Sequence, residues 1–254
     1  MPLEKSKTHW DEMGKLDPHW AILSEPGTKH GKWEEDRFFE TGREEIRGLQ
    51  DAIEKLGVKV ASDWALDFGC GVGRLTYALA DWFRNVVGVD ISQSMVQHAV
   101  ALNHHKNCQF LVNASETLPF LSGQFDLVYT AIVLQHVPEQ KLIRNYIAEF
   151  MRVLKLGGLL AMQLPNHIPF RSRLQARPRL YSWLRTIGVS EQRLYGSWGL
   201  HPIPMRFLPE KEVVSIIESG GGSMLQIVED QRAGPHISSR TYYAIKKESA
   251  PLAK

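Results

Sequence analysis

Residues 61–80 read ASDWALDFGCGVGRLTYALA, a stretch in which an apolar run stops at a cluster of glycines and a helical pattern starts at once. The reading is strand, tight turn, helix. Trp64, Ala65, Leu66 and Phe68 form the nearly continuous apolar run expected of a strand covered on both faces in a parallel sheet. Asp67 interrupts that run near the strand's carboxyl end, the edge where open α/β sheets collect their ligands. Gly69, Gly71 and Gly73 allow a sharp backbone turn and a close approach to a ligand, because a Cβ there would clash or force an unfavourable φ. The helix that begins near Arg74 then points its N-terminus at whatever is bound.

Spacing separates the possible ligands. The nicotinamide fingerprint is G-x-G-x-x-G, whereas here the order is G-x-G-x-G, with Arg74 where a third fingerprint glycine would stand and an acid two residues before the first glycine. The segment Asp67-Phe68-Gly69-Cys70-Gly71-Val72-Gly73 resembles motif I, [DE]-x-G-x-G-x-G, of the class I S-adenosylmethionine-dependent methyltransferases. The resemblance implies S-adenosylmethionine as cofactor and S-adenosylhomocysteine as product. It also implies that Asp67, Gly69, Cys70, Gly71 and Gly73 serve the methionine end of that cofactor. Two other classes stay open on the sequence: a non-catalytic protein that only binds this cofactor, and a NAD(P)-dependent oxidoreductase.

Downstream, Asn85-Val86-Val87-Gly88-Val89-Asp90 is a short apolar strand closed by an acid, which can accept hydrogen bonds from both hydroxyls of a ribose. Ile91 is placed to lie against an adenine face, and Ser92 reads as the N-cap of the next helix. The third strand, Cys108 to Val112, ends at Asn113, where related methyltransferases often carry an acid for the adenine amino group; Asn113 or Ala114 takes that place here. Thr130, ending the fourth strand (Phe125 to Ala131), completes the cofactor-side set that the resemblance implies. Just beyond it, His136 is the candidate general base for an acceptor that must lose a proton, with His167 second. A helical stripe over Glu139 to Leu156 closes at Gly157-Gly158, Leu159 to Leu164 is the fifth strand, and the F-x-R-V-L-x-x-G-G-L-L arrangement from Phe150 to Leu160 is a further family hallmark. A helix after Pro209 and two strands near Met224 to Glu229 and Arg240 to Lys246 finish the chain. The expected fold class is α/β: a Rossmann-like, doubly wound, seven-stranded sheet, mostly parallel with an antiparallel last strand, and helices on both faces.

The flanking regions divide accordingly. Residues 1–35 form an arm with three tryptophans, turn signals and no sustained periodicity, followed by a helical pattern from Glu34 to Leu56 that Gly42 and Gly48 could split in two. Residues 36–164 form the cofactor-binding core and 165–206 a cap over the active site. Residues 207–247 hold the helix and strand pair that complete the core, and 248–254 a tail. The cap carries seven arginines against the single acid Glu191, among aromatic residues. Guanidinium forks beside aromatic rings suit an acidic or phosphate-bearing acceptor, or an anionic membrane surface. Trp10 and Trp20 of the arm and Arg171, Arg173, Trp183 and Trp198 of the cap are the expected acceptor-side residues.

Whole-chain properties bound the remaining possibilities. At 254 residues, 43% hydrophobic and 23% charged, the chain is of ordinary globular composition, and its net charge of +2 gives no strong global attraction to nucleic acid. Cys70 and Cys108 are too few and too scattered for a disulfide framework or a zinc site, so no metal is expected. The opening MPLEKSKTHW lacks the apolar core of a secretory signal, and no run approaches the roughly 20 apolar residues of a membrane span. The expectation is a cytoplasmic monomer or homodimer acting on an O, N or C atom of a small-molecule acceptor, with acidic, phosphorylated and sugar-like acceptors all open. No nucleic-acid partner and no stable membrane insertion are expected, and peripheral membrane contact stays possible.

Overall fold

The computed structural model describes residues 2–169, 174, 176–200, 203–234 and 237–247. Its strands are β1 (Trp64–Phe68), β2 (Asn85–Asp90), β3 (Cys108–Val112), β4 (Phe125–Thr130), β5 (Leu154–His167), β6 (Gly222–Asp230) and β7 (Ser238–Lys246). They form one seven-stranded sheet in the order β3-β2-β1-β4-β5-β7-β6. β1 to β5 pair in parallel, and β7 runs antiparallel to both β5 and β6. The chain therefore reverses its winding beside β1, and the carboxyl ends of β1, β2 and β4 meet at the topological switch point where such sheets bind ligands.

The helices are α1 (Pro2–Leu16), α2 (Pro18–Ile22), α3 (Glu35–Lys55), α4 (Arg74–Ala80), α5 (Gln93–Ala101), α6 (Gln140–Val153), α7 (Ala176–Thr186) and α8 (Glu210–Ser219). Alternation along the strands sends side chains to two cores. Leu66, Phe68, Val87 and Val128 pack with Ile143, Ile147, Phe150 and Ile217 from α6 and α8 on one face. Ala65, Val86, Leu127 and Leu159 pack with Ile46, Leu49, Leu75 and Leu79 from α3 and α4 on the other. Among the described residues no helix is long and apolar enough to cross a membrane.

Three local expectations change. Residues 1–35 hold two helices where the sequence shows no sustained period, because α1 docks largely through polar contacts. Asp11 accepts from the Ser92 hydroxyl at 2.8 Å and the Ser94 amide at 3.1 Å, and a Cβ on Gly14 would stand 2.3 Å from the Ser94 hydroxyl oxygen. The segment after Glu34 is one helix. Gly42 does not break α3 but lets it approach α4, since a Cβ there would lie 2.2 Å from the Arg74 carbonyl oxygen. β5 starts at Leu154 rather than Leu159, because Leu154 already pairs with Phe125 before an irregularity that precedes the Leu127 to Leu159 register.

The cap packs against the arm. Tyr181 of α7 is buried and its hydroxyl lies 3.4 Å from the Glu12 carboxylate. Tyr195 donates to Asp17 at 3.0 Å, stands edge-on to Trp20, and its carbonyl accepts from Lys29 at 3.1 Å. Residues of α7 and the segment that follows it thus rest on α1, α2 and the loop after α2.

Candidate cofactor and acceptor cavity

A cavity of about 420 Å³ opens at the switch point, within the range of small-molecule sites. Its floor is the glycine turn. Gly69, Gly71 and Gly73 have φ of +83°, +54° and +92°, in the left-handed region that favours glycine. The amides of Gly69 and Cys70 donate to the Val89 carbonyl at 2.7 and 3.0 Å, tying the turn to β2. A Cβ on Gly69 would come within 2.2 Å of Val133, and one on Gly71 within 2.4 Å of Ile22 in α2. The turn is therefore sandwiched between the segment after β4 and the arm.

Asp90 closes β2 in the cavity wall. One carboxylate oxygen accepts from the Gly71 amide at 2.9 Å and the other from the Ser92 amide at 2.8 Å. Burial raises its pKa above the ordinary value, opposed by those amides and that of Ile91. Each oxygen keeps lone-pair capacity for a ligand hydroxyl. Ser92 caps α5 by accepting from the Met95 amide at 3.2 Å, as its position predicts.

The sequence-predicted residues divide into lining and supporting sets. Gly69, Cys70, Gly71, Asp90, Ile91, Asn113, Trp10, Trp20 and His136 are brought together around the cavity. Asn113 is held by its own loop, donating to the Thr117 carbonyl at 3.1 Å and accepting from the Ser115 amide at 3.2 Å. Asp67, Gly73, Ala114 and Thr130 are not part of the lining. Asp67, 1% exposed, accepts from the Thr76 hydroxyl at 2.6 Å, and burial pushes its pKa up to about 7. Thr130 donates to the Phe68 carbonyl at 2.8 Å, so both brace the turn from beneath. Trp183 and Trp198 are 59% and 51% exposed and stand outside the wall, because the cap contributes Ile203 and Met205 to it instead. Arg171 and Arg173 lie outside the described residues.

His136 ends a short 3₁₀ turn, Leu134–His136. Its Nδ1 lies 3.1 Å from the Pro204 carbonyl, which can only accept, so Nδ1 carries the proton. Nε2 is then the basic nitrogen, 3.2 Å from the Gln135 amide nitrogen. The Trp10 ring stands edge-on to it with centroids 5.7 Å apart.

Sequence reasoning missed a buried charge network in the same wall. Glu45 of α3 accepts from Arg74 at 2.8 Å, from the Tyr129 hydroxyl at 2.7 Å, and from Arg232 in the β6–β7 turn. Arg74 and Arg232 both line the cavity. Arg74 was visible in the glycine stretch as the first residue of its helix, but nothing local pairs it with Glu45. Ile132 was missed too: its φ of +62° is strained for a β-branched residue. Its amide donates to the buried Gln163 side chain at 2.9 Å, which fixes the backbone where β4 enters the cavity.

A parallel sheet whose first strand runs into a G-x-G-x-G turn, with an acid closing the second strand against that turn, gives residues 66–162 the Rossmann-like fold of S-adenosylmethionine-dependent methyltransferases. Those residues match the family described as methyltransferase domain. The ubiquinone biosynthesis O-methyltransferase of Coxiella burnetii is 38% identical over 169 residues, covering 64% of each protein. The 2-methyl-6-phytyl-1,4-hydroquinone methyltransferase of Synechocystis is 34% identical over 99 residues, covering 38% of this chain and 30% of the relative. The chain thus spans less than two thirds of these relatives' length. In fold, the Synechocystis magnesium protoporphyrin IX methyltransferase, solved with bound SAH, is similar with a TM-score of 0.61 at 19% identity, covering 97% of this chain and all 100% of that one.

Proposed function

We propose that this chain is a methyltransferase that moves the methyl group of S-adenosylmethionine, by in-line displacement, to an O, N or C atom of a small, largely apolar acceptor. The observation that carries the proposal is Asp90, whose carboxylate is fixed by the Gly71 and Ser92 amides in the wall of a cavity floored by the glycine turn. A ribose fits such an acceptor pair, beside a turn whose glycines let Val133 and Ile22 pack close against the backbone. Asp90, Ile91, Asn113 and the turn would hold the nucleoside and methionine parts. When bound, the cofactor supplies a methyl group already activated by the positive charge of its sulfonium.

The chain itself must then align the acceptor and exclude water, effects worth up to about 7–11 kcal/mol when orientation is good. Leu3, Trp10, Met13, Trp20 and Ile22 from the arm cover the cavity with apolar surface, which serves both tasks. His136 presents its basic Nε2 beside Trp10, so an acceptor hydroxyl delivered there can pass its proton to the imidazole once the Gln135 amide yields. Quinone-pathway names among the relatives support a lipophilic aromatic acceptor. The test is calorimetry with S-adenosylmethionine, S-adenosylhomocysteine and NADH, then turnover of isotope-labelled methyl donor against a panel of hydroquinones and phenols. Binding of NADH with no binding of either sulfur nucleoside would overturn the proposal.

A further inference from the structure

Helix α7 has two apolar sides. Tyr181 on the inner side is 4% exposed and packs with Leu194 and Leu200 above the arm. Leu180 and Trp183, 45% and 59% exposed, share one outward side at i, i+3 spacing, and Ile187, 59% exposed, follows in the turn just past the helix. Leu174 and Trp198 of the same segment are exposed as well. Large exposed apolar side chains thus concentrate between residues 174 and 198, and elsewhere among the described residues they are scattered aliphatics. Helical periodicity puts Arg177 and Arg179 on opposite flanks of the stripe. Both are exposed, and neither pairs with an acid among the described residues, whereas Arg185 is paired with Glu191.

We propose that the outward face of α7 docks on an anionic lipid bilayer. An apolar stripe with a tryptophan, flanked by unpaired arginines, matches the interface between acyl chains and phosphate headgroups. The ring and aliphatic tips enter the boundary while the guanidinium groups reach the phosphates. Charge argues against a second copy as the occupant, since the segment's surplus of positive charge would face itself. The inner side of α7 rests on α1, which lines the cavity, so docking sets the cavity roof against the membrane and gives a lipid-soluble acceptor a short path to it. Only that last consequence rests on the methyltransferase reading.

The experiment is flotation of the full chain with vesicles of phosphatidylcholine, with and without phosphatidylglycerol. Binding is expected only to the anionic vesicles, with a blue shift of tryptophan fluorescence that is reduced in Trp183→Phe. Arg177→Gln with Arg179→Gln should weaken binding roughly 25-fold, about fivefold for each arginine near an anionic surface. Leu180→Ser, Trp183→Ser and Ile187→Ser together should abolish it. All of these side chains are exposed and outside the cavity wall, so affinity for S-adenosylmethionine should stay at the wild-type value. No flotation with anionic vesicles, flotation unaltered in both sets of variants, or stripe-dependent dimerisation without vesicle binding would each overturn the proposal. Flotation by a protein that fails to bind S-adenosylmethionine would instead count against the methyltransferase reading alone.

Discussion

Replacing Glu45 with glutamine should remove about 3 kcal/mol of stability at pH 7. The side chain is 15% exposed and sits between two guanidinium groups. Burial alone would raise its pKa, but Arg232, Arg74 and the Tyr129 hydroxyl overcome that and hold it at about 2 against an ordinary 4.5. A difference of about 2.5 units, at about 1.36 kcal/mol each, gives roughly 3 kcal/mol, at the low end of the cost of breaking a buried pair. Glutamine keeps the shape and the contact with Tyr129 but leaves Arg74, itself 5% exposed, without its counter-charge. In a protein of this size the loss should lower the Tm by roughly 6–12 °C. The pH dependence carries the sharper test. Because the folded pKa is depressed, the carboxylate's contribution is complete above about 4.5 and disappears as pH falls towards 2. Urea unfolding of both proteins should therefore show a constant gap from about pH 8 to pH 5 that narrows below about 4.5. A gap under 1 kcal/mol at pH 7, or one that does not narrow in acid, refutes the network as a source of stability.

Asp90→Ala should weaken S-adenosylmethionine binding about ten- to hundredfold by calorimetry without unfolding the protein, since charge-assisted hydrogen bonds of about 1.5–3 kcal/mol are lost; unchanged affinity would remove the cofactor assignment. Gly71→Val should be worse, because its Cβ meets Ile22 at 2.4 Å with φ at +54°, and near-normal binding would contradict the role of the turn. Glu12 is pushed up to about 7 by burial and by hydrogen bonding beside Glu191. Its folded pKa is raised, so the contact between arm and cap is strongest in acid and loosens as pH climbs through 7. The protection of α7 amides, corrected for the intrinsic exchange rate, should fall over that window in the wild type and be flat in Glu12→Gln. His136→Gln should cut turnover by about 10²–10⁴ with cofactor affinity kept if the imidazole takes the acceptor's proton; preserved turnover with a lower Tm would reduce it to packing.

The glycine turn, Asp90 and the seven strands were legible because each depends on residues close in sequence: an apolar run, a fixed spacing, an acid at a strand end. α1 was not legible. It presents few apolar residues per turn, and what fixes it is the reach of Asp11 to Ser92 and Ser94, partners more than 80 positions away. The Arg74–Glu45–Arg232 network fails for the same reason, since no local pattern joins α3, α4 and the β6–β7 turn. In the cap periodicity groups Leu180, Trp183, Leu184 and Ile187 on one apolar helical face, but the structure turns Leu184 inward beside Tyr181 and leaves the others exposed. Tyr181 takes the interior because its hydroxyl finds Glu12, and Trp183 is left outside.

Ile22 resting on Gly71 has a kinetic consequence. Ile22 places α2 over the turn, and the Asp90, Ser92 and Asp11 contacts join the acid at the end of β2 to α1, which leads into α2. On the proposed reading, the hold of α1 and α2 over the turn is then part of what retains the nucleoside. A mutation that loosens the arm should therefore shorten product retention before it touches the chemistry.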